Sequence, residues 1–205
     1  MTMTKQVHVA VFDTFADWEI GYATAHIRKP DWQREPGQYE IVTVGPSTEP
    51  VTTMGGFDIV PDLALADLRP EDSAMLILAG GDTWTEDAMA GFRAAARQFL
   101  AAGVPVAAVC GATMGLAIEG LLDDRAHTSN AAEALGYTGY AGAAHYREEL
   151  AVNDRGLITG SGIAPVQFAH AILEQLAVYE PGVAKSWLKL YGDRDPAGFY
   201  ELMAV

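Results

Sequence analysis

Short runs of apolar, mostly β-branched residues alternate with helical patterns along most of this chain. Two of these runs are residues 7–12 and 74–79, and helix-type spacing follows them over residues 17–28 and 86–102. Near-continuous apolar strands of this length are typical of a parallel sheet that helices cover on both faces. The alternation therefore predicts an α/β fold of the doubly wound type.

The remaining elements continue this pattern. Further strands are predicted at residues 39–44, 51–60, 104–110, 146–152 and 157–159, and further helices at 111–119 and 165–178. The segment 183–205, rich in aromatic residues, predicts one or two terminal helices that pack on the domain or on a second subunit. We expect one domain over residues 1–180 and a helical extension of that domain over residues 181–205.

The charge of the chain excludes several classes of partner. With 27 Asp and Glu against 13 Lys and Arg, the formal net charge is −14. Nucleic acids and anionic membrane surfaces require clustered Lys and Arg, so neither is expected to bind. No apolar run approaches the roughly 20 residues of a membrane span, and the stretch 7–12 that follows residues 1–6 is too short for a signal-peptide core. A single cysteine excludes an internal disulfide, which favours the reducing cytoplasm.

That cysteine, Cys110, stands where a predicted strand meets a predicted helix. It ends the apolar run 104–109, and the small residues Gly111 and Ala112 follow it, which permits the sharp turn of a nucleophile elbow. Helix N-terminal amides and the helix dipole at this position favour the thiolate over the thiol. Cysteine is more often a small buried apolar residue. The position, at the sheet edge where α/β proteins bind ligands, favours a reactive cysteine instead.

A glycine pair, Gly80 and Gly81, closes the predicted strand 74–79. Glycine permits close approach of a ligand and exposes backbone N–H groups that can stabilise an oxyanion. Next to Cys110, the pair predicts a site for acyl transfer or carbonyl addition. Glu19 lies on the first predicted helix, where a carboxylate in the first turn by itself indicates only helix stabilisation.

Four segments then suggest a family. LAGG at residues 78–81, VCGA at 109–112, GLLD at 120–123 and LITGSGIAPVQFA at 157–169 resemble, in this order, the ThiJ/PfpI superfamily of the class I glutamine amidotransferase-like fold. The similarity runs from about residue 6 to 178. It implies a flavodoxin-like three-layer sandwich, usually dimeric. It also implies that an acidic residue on the first helix hydrogen-bonds the cysteine sulfur, the position that Glu19 holds. Burial and like-charge repulsion would keep that carboxyl protonated.

The resemblance also implies a histidine downstream of the elbow, and here the chain departs from the pattern. It reads RAHTSN over residues 125–130, which aligns Ser129 with the expected histidine. His127 lies two residues earlier and would point to the same face of a strand. His127 is therefore either the catalytic base or a deeper residue without a chemical role.

These observations predict a cysteine-dependent enzyme that acts on a small electrophilic carbonyl or acyl compound, glyoxalase-, deglycase- or amidohydrolase-like. Cys110 would be the nucleophile, Glu19 would transfer a proton, and the amides of Gly81 and Gly111 would hold the oxyanion. Gly80 and Ser129 are further candidates for oxyanion or substrate binding. Two alternatives are an oxidative-stress protein, in which Cys110 becomes a sulfinic acid with little turnover, and a binding domain that merely retains the cysteine.

Other chemistries are disfavoured by the sequence. Peptidases of the superfamily carry a histidine directly after the cysteine, where this chain has Gly111, so the adjacent base of a Cys–His mechanism is missing. The His and Cys residues lack the short paired spacings of a zinc site, and neither a Walker loop nor a dinucleotide fingerprint occurs. We therefore expect a small-molecule substrate and a homodimer, without a metal or cofactor.

Overall fold

The structure, a computed structural model, describes residues 4–205, so residues 1–3 of the N-terminal segment discussed above lie outside it. Seven strands form the central sheet: β1 (Lys5–Ala10), β2 (Tyr39–Gly45), β5 (Leu63–Ala64), β6 (Ser73–Leu78), β7 (Val106–Val109), β8 (Ala151–Asp154) and β9 (Leu157–Gly160). Their order is β5-β2-β1-β6-β7-β9-β8, and every neighbouring pair is parallel except β8 with β9. β3 (Val51–Thr52) and β4 (Asp58–Ile59) form a separate antiparallel hairpin.

Helices cover both faces of the sheet. They are α1 (Asp17–Arg28), α2 (Ala90–Ala101), α3 (Gly111–Ile118), α4 (Ala132–Gly136), α5 (Pro165–Gln175), α6 (Pro181–Tyr191) and α7 (Ala197–Met203). α1 packs against α5, α6 packs against α5, and α7 packs against α6, whereas α2 and α3 contact each other and β7. The predicted flavodoxin-like three-layer α/β sandwich is confirmed.

The central strands explain why the sequence shows apolar runs. From Met75 to Leu78 in β6, and throughout β7, every residue is buried. Because the sheet is covered on both faces, successive side chains of these strands enter the core in alternate directions and all are apolar. The two terminal helices extend this core, since Trp187 of α6 is fully buried and its ring meets the His26 ring of α1 at 5.1 Å.

Two predicted strands are wrong. Residues 51–60 form the β3–β4 hairpin instead of one strand, because the turn at Gly55 and Gly56 interrupts the apolar pattern, with a φ of 82° at Gly56. Residues 146–152 are mostly irregular: Tyr146 makes an isolated bridge to His127, and β8 begins only at Ala151. The predicted helix 86–102 begins as a 3₁₀ turn, Asp87–Met89, before α2.

The sheet topology brings four loops together. β1, β6, β7 and β9 are consecutive parallel neighbours, so their carboxyl ends lie at the same edge of the sheet. The turns that follow them contain Gly80, Gly81, Cys110 and Gly162, and α1 begins beside them. None of the helices in residues 4–205 is long and apolar enough to cross a membrane.

Candidate active site

Cys110 forms a strained turn between β7 and α3. Its φ of 56° and ψ of −124° lie in a region that glycine favours, and a side chain there costs about 1–3 kcal/mol. Hydrogen bonds hold the turn: the Cys110 N–H donates to the Gly160 carbonyl at 3.0 Å, and the Thr113 hydroxyl donates to the Cys110 carbonyl at 2.6 Å. The structure therefore builds the predicted elbow and presents a partly buried thiol at the carboxyl edge.

Glu19 lies in the first turn of α1 and is fully buried. Its Oε2 accepts a 2.6 Å hydrogen bond from the Gly80 N–H, whereas its Oε1 has no hydrogen-bond partner within the described part of the chain. Oε1 and the Cys110 sulfur border the same space, because a Cβ on Gly162 would lie 2.7 Å from Oε1 and 3.1 Å from Sγ. Burial raises the pKa of Glu19 more than contacts with Cys110 and the Gly80 N–H lower it.

The pKa of Cys110 differs from what the elbow alone predicts. Burial raises it, and so does negative charge on Glu19, whereas the Asn130 amide and the Gly111 N–H lower it, and the net direction is upward. The helix N-terminus, which the sequence suggested would lower the pKa, is thus outweighed by two non-local effects. Burial raises the pKa values of both Glu19 and Cys110, and for Cys110 the negative charge of an ionised Glu19 raises it further.

Asn130 is the functional candidate that the sequence did not predict. Its Nδ2 donates a 3.0 Å hydrogen bond to the Cys110 sulfur. Its Oδ1 accepts the Gly162 N–H at 2.8 Å, with the Ser161 hydroxyl at 3.4 Å. These two donors fix the orientation of the amide, so the end that faces the sulfur is the NH₂ group. The one available signal was its place directly after Ser129, the residue aligned with the family histidine.

The structure does not bring Ser129 or His127 into contact with the sulfur. The Ser129 hydroxyl lies 2.7 Å from the Thr113 hydroxyl, so Ser129 braces the elbow through a second residue. His127 is fully buried, and its Nδ1 and Nε2 pair with the Arg125 carbonyl at 2.8 Å and the Tyr140 hydroxyl at 3.3 Å. Burial lowers the pKa of His127. His127 therefore has structural partners at both ring nitrogens.

The three predicted glycines lie around the elbow. A Cβ on Gly80 would come within 2.5 Å of Glu19 Oε2 and 2.7 Å of the Cys110 Cβ, so only glycine fits there. Gly111 packs equally tightly on Gly81, because its Cβ would lie 2.5 Å from the Gly81 carbonyl oxygen. The Gly81 N–H donates no hydrogen bond among residues 4–205 and remains available to a ligand. The site thus combines a nucleophile, a protonatable carboxyl and a free amide donor, the Gly81 N–H.

The described residues contain no candidate metal site. No group of three or more His, Cys, Asp or Glu side chains among them could hold a metal ion.

Comparison with known proteins identifies the family. A profile of the DJ-1/PfpI family matches residues 5–175. The chain is 39% identical to a Bacillus subtilis protein named "Uncharacterized protease YoaZ", over 98% of this chain and 97% of that protein. It superposes on a thiJ/pfpI family protein from Bacillus anthracis with a TM-score of 0.92 and 38% identity, covering 100% of this chain and 98% of that one. A DJ-1 superfamily protein from Agrobacterium tumefaciens gives a TM-score of 0.81 and 34% identity, covering 93% and 100%. The chain therefore belongs to the DJ-1/PfpI family.

Proposed function

We propose that this protein is a cysteine-dependent enzyme that acts on a small electrophilic carbonyl or acyl compound through Cys110. The observation that carries the proposal is the placement of the sulfur between two groups. On one side is the buried Glu19 carboxyl with its unpaired Oε1, and on the other is the Asn130 amide at 3.0 Å. A cysteine with only a structural role requires neither a buried carboxyl nor an oriented hydrogen-bond donor beside its sulfur.

The reactive form carries one proton and one negative charge on the pair. An ionised Glu19 leaves Oε1 buried without a strong donor, which is unfavourable. A protonated Glu19 instead donates its O–H to the sulfur, where Asn130 supplies a second donor to the thiolate. We therefore assign the proton to Glu19 and the charge to Cys110.

With an aldehyde, the reaction follows from these positions. The thiolate attacks the carbonyl carbon, a C–S bond forms, and the π electron pair of the C=O bond moves onto oxygen. The N–H groups of Gly81 and Gly111 stabilise that oxygen, and Glu19 then transfers its proton to it. The products of this step are a neutral hemithioacetal and a Glu19 carboxylate, which is the base for the next proton transfer.

Peptide hydrolysis is the less favoured reaction, although the Bacillus subtilis relative carries the word protease in its name. An amide nitrogen leaves only after it is protonated, and Cys–His enzymes use the histidine for that step. Here the residue after Cys110 is Gly111, and His127 is engaged by Arg125 and Tyr140.

An oxidative-stress role is the second candidate, favoured by the donors around a partly exposed sulfur. Two equivalents of peroxide would oxidise the thiolate to a sulfinate with release of two waters. The Asn130 amide, the Gly111 N–H and a protonated Glu19 would then hydrogen-bond the new oxygens.

We also propose that the protein acts as a cytoplasmic homodimer. The β3–β4 hairpin and the start of α1 form one surface, since Asp17 accepts hydrogen bonds from Thr53 and Gly55. Trp18, Phe57 and Val60 are more than half exposed there, and such apolar side chains often mark an interface. Sedimentation at equilibrium tests this, and a monomer at micromolar concentration would contradict it.

The decisive experiment compares the wild type with Cys110→Ser on a panel of small aldehydes, amides and peptides. We expect turnover of an aldehyde or small amide that the variant loses, with no peptide cleavage. Intact mass after mild peroxide treatment tests the second candidate, which requires a gain of two oxygen atoms in the wild type and none in the variant. Turnover that survives in Cys110→Ser would refute the enzymatic proposal.

A further inference from the structure

Four of the segments at the carboxyl edge of the sheet, where Cys110 lies, contain no positively charged side chain. Four segments follow β1, β2, β6 and β9 at the carboxyl edge of the sheet, residues 11–16, 46–62, 79–89 and 161–164, and we call them the edge segments. All 13 Lys and Arg residues of the chain lie elsewhere. The edge segments instead contain Asp13, Glu49, Asp58, Asp62, Asp82, Glu86 and Asp87. The approach to the thiol is therefore lined by negative charge.

Three of these carboxylates lie in the segment that follows β6, the strand next to the one that ends at the nucleophile. Asp82, Glu86 and Asp87 follow β6, which pairs directly with β7, and Asp82 comes immediately after Gly81. All three are exposed, and none makes a side-chain hydrogen bond or ion pair with another residue of 4–205. Gly81 touches the elbow, since a Cβ on Gly111 would lie 2.5 Å from the Gly81 carbonyl oxygen, and Asp82 is the next residue. Salt screens charges over about 8 Å in physiological buffer. These charges therefore act on a molecule that approaches the sulfur.

The nearest cationic side chains do not offset this charge. Arg93 is buried on α2, donates to the carbonyls of Trp84 and Glu86, and lies 3.6 Å from a carboxylate oxygen of Glu119. Arg147 donates its backbone N–H to the His127 carbonyl and its guanidinium to the Tyr146 carbonyl, and two glutamates follow it in sequence. At the sulfur itself the favourable groups are neutral donors, the Asn130 amide and the first amides of α3.

We propose that the edge segments make Cys110 selective for uncharged or positively charged carbonyl compounds and exclude substrates that carry a carboxylate or phosphate. This inference rests on the proposed function, because it names the charge class of the substrate of that site. A carboxylate-bearing substrate would meet repulsion at the entrance and find no Lys or Arg to bind its charge. An amine-bearing substrate would be attracted by the same segments.

Iodoacetamide and iodoacetate test this directly, because they have nearly the same size and differ in charge. In both reactions the thiolate forms a C–S bond and iodide leaves with the electron pair of the C–I bond. We measure the ratio of the two rates for Cys110 and divide it by the ratio for 2-mercaptoethanol. An unscreened carboxylate about 8 Å from an anion slows it by about twofold in water, so three such charges would give a normalised ratio of about eight at low salt. It should approach one at high salt.

Two double variants with equal charge changes test whether the edge segments cause the difference between the two alkylation rates. Asp82→Asn with Glu86→Gln removes two charges from the edge segments, and Glu35→Gln with Glu71→Gln removes two exposed charges from loops at the opposite edge. The first pair should lower the normalised ratio about fourfold, and the second should leave it unchanged.

A normalised ratio near one for the wild type, or equal changes in the two double variants, overturns the inference. Either result leaves a Cys110-dependent turnover intact, whereas turnover that survives in Cys110→Ser refutes the proposed function whatever the ratio. The two failures are thus distinguishable.

Discussion

Replacement of Glu19 by glutamine is expected to leave a single titration of Cys110, below the pH at which the wild-type Glu19–Cys110 pair loses its second proton. Burial is the first cause that raises this pKa, and the negative charge of Glu19 is another. Glutamine keeps an oxygen for the Gly80 N–H and presents an NH₂ donor towards the sulfur. The substitution therefore removes the charge and preserves the packing of this fully buried side chain.

The magnitude follows from Coulomb's law. Two unit charges about 4 Å apart interact by about 4 kcal/mol at an effective dielectric constant of about 20. Since one pKa unit corresponds to about 1.36 kcal/mol, the charge accounts for about three units. In the wild type the Glu19–Cys110 pair loses its two protons in separate steps, and the second negative charge forms in the step at higher pH. The titration of the variant is compared with this upper step.

The assay is the rate of iodoacetamide alkylation from about pH 5 to about pH 11, followed by intact mass, since a single cysteine gives a single adduct. The wild type should show two steps, and Glu19→Gln should show one, about three pH units below the upper step of the wild type. Asp17→Asn is the control, because that carboxylate lies on the same turn but binds Thr53 and Gly55. A variant that titrates at or above the upper step of the wild type would refute the reasoning.

Three further predictions concern other polar side chains. Asn130→Ala should raise the pKa of Cys110, because it removes a hydrogen bond to the thiolate, and an unchanged alkylation profile would show that the 3.0 Å contact has no effect on the thiolate. His127→Gln should lower the free energy of unfolding in urea by about 1–3 kcal/mol and leave the alkylation profile unchanged, whereas a lost or shifted step would identify His127 as the base. Burial, and then the charge of Lys29, lowers the pKa of His26 from 6.5 to about 4, so the unfolded chain takes up this proton first as the pH falls. Stability should therefore decline between pH 6.5 and about 4, and His26→Gln should decline less in thermal unfolding; parallel curves would contradict this.

The sequence predicted the elements whose pattern is local and strong. β6 and β7 are buried on both faces, so their apolar runs mark them without knowledge of their neighbours. The predicted strand 51–60 fails because the turn at Gly55 and Gly56 outweighs the apolar residues on either side. The predicted strand 146–152 fails because this segment lies near the sheet edge, where β9 pairs only with residues from Ala151 onward.

The residues of the candidate site likewise divide into those with a local sequence signal and those whose role depends on distant contacts. Cys110 and the glycines at residues 80 and 81 were found because a strand that turns into a helix is visible in consecutive residues. Glu19 was predicted only from the family resemblance, since Gly80, which its side chain contacts, lies 61 residues away in the sequence. Asn130 was missed because its orientation depends on the Gly162 N–H, which the fold supplies from 32 residues away. The direction of the Cys110 pKa was wrong for a related reason: the helix N-terminus is local, whereas burial and Glu19 are not.

The central claim is that the resting Glu19–Cys110 pair keeps its negative charge on sulfur. It is tested most directly by the rate of iodoacetamide alkylation at pH 7 for the folded protein and for the same chain unfolded in urea. An ordinary thiol with a pKa of about 8.5 is only about 3% ionised at this pH. Burial and an ionised Glu19 both raise the pKa of Cys110, so the expected folded rate, about tenfold above the unfolded rate, requires that Asn130 and a protonated Glu19 hold the thiolate. A folded rate equal to or below the unfolded rate would contradict the account.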